Sequence, residues 1–357
     1  MRIDNELKLD FSDVLIRPKR STLTSRKDVL LERTFTFLHS PKKWTGIPII
    51  TANMATSGTL EMAKTLSKHK MITALHKFYT IEELEEFFKE YNEPDYIAYT
   101  LGIRDEDIDK LKKVKEKNLL NNFSFIVLDV PNAYLERFIN KVKEIRKLCP
   151  EHIIIAGNVV TNEITEQILL EGADIVKIGI GSGSACLTRK QTGVGYPQLS
   201  AVIECGDAAH GISKGNGSGR IMSDGGITSP SCIAKAFGGG ADFVMIGSMF
   251  AGYDQSGGDL IERNGKKYKE HFGMSSATAM NKFYGKVDEH RASEGRTVEV
   301  PYKGDVNELV HEILGSLRST ATYIGARSLR EFSKRTTFIM VNRQLSTYLE
   351  PYDNHKN

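Results

Sequence analysis

The sequence predicts an α/β protein of the (β/α)8 TIM-barrel type, with a long flap between its eighth strand and its last helix. Three observations carry this. Eight short apolar runs recur along the chain, rich in β-branched residues and nearly unbroken in hydrophobicity, the pattern of strands buried on both faces. Amphipathic stretches of helical period separate them, the alternation that gives a parallel sheet. Eight such units in 357 residues fit a closed barrel better than an open sheet.

In order, the predicted strands are GIPIITANM (46–54), KMITALHK (70–77), DYIAYTLG (95–102), FSFIVLDV (123–130), HIIIAGNVV (152–160), ADIVKIGI (173–180), GRIMSDGG (219–226) and ADFVMIGS (241–248). Gly, Asn, Asp or Ser marks most of their ends. Helical patterns between them include GTLEMAKTLSKHK, TIEELEEFFKEY, NAYLERFINKVKEIRKL, NEITEQILLEG and PQLSAVIECGDAAHG. KGNGSGR (214–220) reads as a flexible surface excursion before the seventh strand. The segment 252–304 is too long for an ordinary strand–helix connection and reads as a flap. Apolar and aromatic residues interleave with its charges, which argues against a disordered insertion, and Asn264-Gly265 marks a hairpin within it. DVNELVHEILGSLRST (305–320) supplies the last helix. The whole reads as one catalytic domain over 1–340 with a polar tail at 341–357.

Composition narrows the class. The chain is 40% hydrophobic and 26% charged, an ordinary globular balance, and its net charge of +3 gives no reason to expect nucleic acid or a membrane surface. Trp44 and the other aromatics are too scattered to stack bases along a strand. Cys149, Cys186, Cys205 and Cys232 form no CxxC pair and no zinc spacing, so a reducing compartment is expected. MRIDNELKLDF lacks an apolar signal core, and no apolar run nears the ~20 residues of a membrane helix. The expected location is cytoplasmic.

In a barrel the C-terminal strand ends share one face, where Asp129, Asn158, Cys186, Asp224 and Ser248 would converge. Cys186 lies in GIGSGSACLTRKQTGVGYPQ (179–198), a turn of small residues with Thr188 two positions on and Arg189 and Lys190 behind. An exposed, electropositive turn suits a nucleophilic thiolate; the alternative is a packed cysteine in a loop that merely turns. SDGG (223–226) and IGS (246–248) end the seventh and eighth strands, where barrel enzymes often bind phosphate; the alternative is a tight turn requiring positive φ. With a phosphate on the amides, Asp224 is left to contact a ribose hydroxyl. Carbonyls of GIGSGSAC could face a monovalent cation. RASEG (291–295) offers Glu294 as a proton handler and Arg291 as an anion contact, or simply a solvated face. The chain has no HExxH, no Walker motif and no strand–GxGxxG–helix fingerprint, so a nucleotide cofactor would not be held in a Rossmann manner.

Taken together, GIPIITANM, AGNVVT, the cysteine loop with TGVGYPQLSAV, SDGG, ADFVMIGS, FGMSS and EGRTVEVPYKGD resemble the family of inosine monophosphate dehydrogenase and guanosine monophosphate reductase. The resemblance runs from LDFSDVLIRPKRS (9–21) to KRTTF (334–338). It favours the reductase branch. HKFYTIEELEEFF passes straight into the second helix, where the dehydrogenase usually carries a regulatory domain. No Arg-Tyr pair of the water-activating kind stands between Gly273 and Gly295.

The resemblance implies conversion of GMP and NADPH into IMP, ammonia and NADP⁺. Cys186 would attack purine C2, and Thr188 and Glu294 would handle protons for the leaving amine. GMP/IMP would be held by Ser184, Asp224, Gly225, Gly226, Gly247, Ser248, Gly273, Met274, Ser275, Arg291, Ala292, Ser293 and Gly295. NADPH would meet Lys77, Asp129, Val130, Pro131, Ser25 and Arg26, with Ser319, Thr320, Ala321 and Thr322 reaching a neighbour's cofactor in a homotetramer. Potassium (K+) would sit at Gly181, Gly183, Cys186 and Arg189, mainly on backbone carbonyls. Ser182 replaces a common Pro, Leu187 a frequent Thr and Ala55 a frequent Asp. A short dehydrogenase and a catalytically silent nucleotide-binding regulator remain as alternatives.

Overall fold

The computed structural model describes residues 3–285 and 292–341. Each of the eight predicted runs contains a strand: Ile49–Thr51, Ile72–Ala74, Ile97–Leu101, Phe125–Asp129, Ile153–Val159, Ile175–Ile178, Arg220–Asp224 and Phe243–Ile246. All pair in parallel, and Val244 opposite Ile49 closes the barrel. The strands are shorter than the runs because the C-terminal end of each run turns away to build the catalytic face.

Alternation along each strand sorts the core into two bodies. Ile50, Ile72, Ala98, Val127, Ile155 and Met245 belong to a cluster that fills the barrel. Their neighbours Ile49, Ile126, Leu128, Ile154, Val176 and Val244 face the other way and pack with the surrounding helices. Both sets are buried, which is why the runs read as continuously apolar.

The N-terminal end of the barrel is plugged. A hairpin, Arg33–Thr36 with Lys43–Gly46, sets Phe35 4.6 Å from Phe243 and Trp44 5.8 Å from Phe125 between ring centroids. The Trp44 indole donates to the Asp95 carbonyl at 2.7 Å. Buried Asp174 accepts the amides of His39, Ser40 and Ile154 and the Arg146 guanidinium. Buried Asp242 likewise meets Arg33, Arg220 and His210. These networks rivet the face opposite the site.

The described residues of the flap form regular elements. Leu260–Arg263, Lys266–Phe272 and Thr297–Pro301 form a three-stranded antiparallel sheet. Its hairpin turns at Asn264 and Gly265, with φ of 52° and 73°, as the Asn-Gly pair predicts. The helix Ala277–Tyr284 follows, and its Phe283 stacks on Phe78 at 3.9 Å.

KGNGSGR lies at the surface, with 213–216 exposed, and is a small hairpin: Ser213–Lys214 pairs with Gly217–Ser218, and Gly217 is buried. A Cβ there would lie 1.8 Å from the Phe37 carbonyl, so the second strand of the hairpin packs against the chain only because Gly217 lacks a side chain. Val14–Ile16 pairs with Phe338–Met340, tying the first strand to the last. The predicted tail lies outside the described residues beyond Val341. Among the described residues no helix is long and apolar enough to cross a membrane.

Candidate active site

The sixth barrel strand ends at Ile178, and the small residues after it let the chain fold tightly over the barrel mouth. Cys186 lies in this loop, half-buried, and its thiol donates to the Thr188 hydroxyl at 3.2 Å. Thr188 opens a short helix, Thr188–Thr192, and its hydroxyl donates to the Glu294 carboxylate at 2.5 Å. Thiol, hydroxyl and carboxylate thus stand in one line.

Glu294 arrives from the flap, 106 positions along the chain. Backbone pairing delivers it: Leu187 N–H donates to the Glu294 carbonyl at 2.6 Å, Arg296 N–H to the Ala185 carbonyl at 3.0 Å, and Cys186 bridges Gly295. A Cβ at Gly295 would lie 2.8 Å from the Ser276 nitrogen, so only glycine allows this approach. The other cysteines differ. Burial pushes the Cys149 thiol up to about 11 and the Cys205 thiol up to about 12, values that suit packing and not attack. Cys232 is also buried.

These groups open on a cavity of about 400 Å³ whose lining includes Lys77, Asp129, Cys186, Asp224, Ser248 and Glu294. At one end, Gly225 takes φ of 97°, and a Cβ on it would strike the Ser182 hydroxyl at 2.3 Å. The tight turn and the candidate phosphate cradle are therefore one structure. Ser184 donates to Ser248 at 2.6 Å. Gly226, Gly247, Gly273, Met274, Ser275 and Gly295 also line the cavity. The Ser182 hydroxyl donates to the Asp224 carbonyl at 3.3 Å.

At the other end Lys77 pairs with Asp107 at 3.2 Å, and Val130 and Pro131 join the wall. Between the ends lies a residue the sequence reading passed over. Lys177, 3% exposed on the sixth strand, holds Asp129 at 2.6 Å and Asp224 at 2.8 Å. Asn53 donates to Asp129 at 3.1 Å and Asn158 to Asp224 at 2.9 Å. Burial opposes charge on Lys177, but the two carboxylates outweigh it and raise its pKa. Burial likewise opposes charge on Asp129, and Lys177 and Asn53 outweigh it, lowering its pKa. A lone lysine inside an otherwise apolar strand was the signal for this group. His271, also missed, lines the cavity; burial drives its pKa down to about 4.

Several predicted residues do not join the cavity of their own chain. Ser25 caps the turn Arg26–Asp28, which packs beside the helix Val306–Ile324. On that helix Ser319, Thr320 and Thr322 bond backbone carbonyls of their own helix, and Ala321 is buried. Ala292 is exposed, and Ser293 turns back to the Gly295 carbonyl. Arg291 lies outside the described residues. Of the proposed cation ligands, the Gly183 carbonyl accepts the Cys186 amide and the Arg189 carbonyl that of Gly193. The Arg189 guanidinium is bound to Asp10 at 3.0 Å.

Fold and site define a parallel barrel whose mouth holds a half-buried thiol in line with a hydroxyl and a carboxylate. Comparison with known proteins narrows this further. The family model described as "IMP dehydrogenase / GMP reductase domain" matches residues 8–347. The chain is 53% identical over 354 residues to GMP reductase of Caenorhabditis elegans, covering 99% of this chain and 97% of that one. It is 55% identical over 346 residues to GMP reductase 2 of Bos taurus, covering 96% and 97%. It is 55% identical over 347 residues to GMP reductase 1 of Homo sapiens, covering 97% and 99%. The chain belongs to the IMP dehydrogenase / GMP reductase family and is an oxidoreductase.

Proposed function

We propose that this chain reduces GMP to IMP, with NADPH as reductant and ammonia as by-product. The line from Cys186 through Thr188 to Glu294 carries the reading. An amino group leaves poorly until protonated, and a carbon bearing sulfur in place of nitrogen accepts hydride more readily. Cys186 gives up its proton through Thr188 and adds to purine C2. Glu294, through Thr188, returns a proton to the departing nitrogen, and ammonia leaves. Bound NADPH would supply the hydride to C2, and the bond from C2 to the Cys186 sulfur would then break to restore the thiolate.

The chain's task is to position these partners. Gly225, Gly226, Gly247 and Ser248 suit a phosphate, and Asp224 a ribose diol. Lys77, Asp129, Val130 and Pro131 would hold the cofactor. A potassium ion suits the Gly181–Cys186 turn, where the Gly183 carbonyl, which already accepts the Cys186 amide, keeps a second lone pair. Its ligands would be the carbonyls of Gly181, Gly183 and Cys186. The displacement of Ser25, Arg26 and Ser319–Thr322 from their own cavity supports a homotetramer in which a neighbour uses them. Four unpaired cysteines fit a cytoplasmic location. Organisation as one catalytic domain over 1–340 belongs to the same reading.

The test follows nicotinamide absorbance in two mixtures with potassium, GMP plus NADPH and IMP plus NAD⁺. Loss of absorbance in the first alone, with ammonia formed, is the expected result. A rise in the second alone would overturn the proposal in favour of dehydrogenation. Silence in both, with folded protein that binds GMP, would make it a non-catalytic binder.

A further inference from the structure

We infer that Lys177 is a positioning residue that couples the two ends of the cavity, so that each ligand weakens the binding of the other. The inference rests on the reading above, with nucleotide at Asp224 and cofactor at Asp129. Its ground is one ammonium shared by two carboxylates from different strands, at 2.6 and 2.8 Å, with almost no access to water.

The partners are unequal. Asp224 receives Lys177 and Asn158 on the same oxygen, Oδ2. Among the described residues its Oδ1 takes no hydrogen bond, so it can accept a ligand hydroxyl without losing a protein partner. Asp129 has both oxygens engaged, Oδ1 by Lys177 and Oδ2 by Asn53. A hydroxyl donated to Asp224 drains negative charge from that carboxylate and loosens its hold on the ammonium. Lys177 then leans toward Asp129, and a donor arriving at Asp129 meets a carboxylate already served. Linkage makes the effect reciprocal, by the same factor in both directions. A buried charge cannot turn to solvent for compensation, which is why the competition is felt across the cavity.

The probes are GMP and NADP⁺, a pair that cannot react. In the wild-type protein, saturating NADP⁺ should raise the Kd for GMP about 5-fold or more, the lower end of ordinary coupling. Lys177→Met should bring the ratio to one, and Lys177→Arg, which keeps a two-armed cation, should retain it. Should Lys177→Met fail to fold, Asp129→Asn serves: Lys177 then has only Asp224 to hold, and the ratio again falls to one. Lys77→Met is the control, expected to weaken NADP⁺ but to keep the ratio. A ratio of one in the wild type, or coupling that survives both Lys177→Met and Asp129→Asn, overturns the inference. Turnover of GMP with NADPH is measured on the same wild-type sample. Its absence would sink the functional reading, whereas turnover without coupling sinks only the role of Lys177.

Discussion

Glu294→Gln tests the relay most directly. The carboxylate accepts the Thr188 hydroxyl at 2.5 Å, a charge-assisted bond, and the amide that replaces it is no base at neutral pH. The substitution leaves the flap docked, because Leu187 bonds the Glu294 backbone carbonyl and not its side chain. Loss of a positioned acid–base group slows a step by roughly 10²–10⁴-fold, or about 2.7–5.4 kcal/mol of barrier. Here the fall in kcat should approach about 10³, since Thr188 has no second carboxylate to turn to among the described residues. GMP affinity should change little. Rapid-quench measurement of ammonia, run beside stopped-flow nicotinamide absorbance, separates the two chemical steps. Ammonia release should slow far more than hydride transfer. Equal slowing of both, or a drop in kcat below about tenfold, would refute the relay.

Three further outcomes are expected. Cys186→Ala should abolish turnover while calorimetry still finds GMP binding within a few-fold of wild type; surviving turnover would remove the covalent step. Gly295→Ala forces a Cβ to 2.8 Å from the Ser276 nitrogen and 3.2 Å from the Gly273 Cα, so activity should fall by about tenfold or more with a nearly unchanged melting temperature. An unchanged rate would mean that the flap docks otherwise. Buried His152 and His271 both have pKa values driven down to about 4 by burial. The unfolded chain takes up these protons first, so their stabilising contribution is full above about pH 6.5 and is lost as pH falls toward about 4. Each accounts for up to about 3 kcal/mol over that window, and His152→Gln should flatten the slope of denaturant midpoint against pH. A slope that does not change would remove His152 from the acid response.

The barrel strands were legible because both their faces are buried, which leaves a run such as FSFIVLDV no reason for polarity. The Asn264-Gly265 turn was legible because its backbone demands those residues. What escaped depended on partners remote in the chain. Val14–Ile16 is three residues long and pairs with Phe338–Met340, and nothing local marks that register. The plug at Phe35 and Trp44 looked like scattered aromatics for the same reason. In the site, Cys186, Asp224 and Glu294 stood in recognisable motifs. Lys177 was hidden inside a run read for its hydrophobicity, and its role exists only once Asp129 and Asp224 close around it. The delivery of Glu294 was equally invisible, since it is a matter of backbone pairing and any residue but proline at position 187 could supply the amide.

That pairing has a consequence for timing. The rungs between 185–187 and 294–296 make the cysteine loop and the flap two halves of a clasp. Any excursion wide enough to break those rungs also parts Cys186 from the carboxylate, so the line from thiol to carboxylate exists only while the clasp is shut.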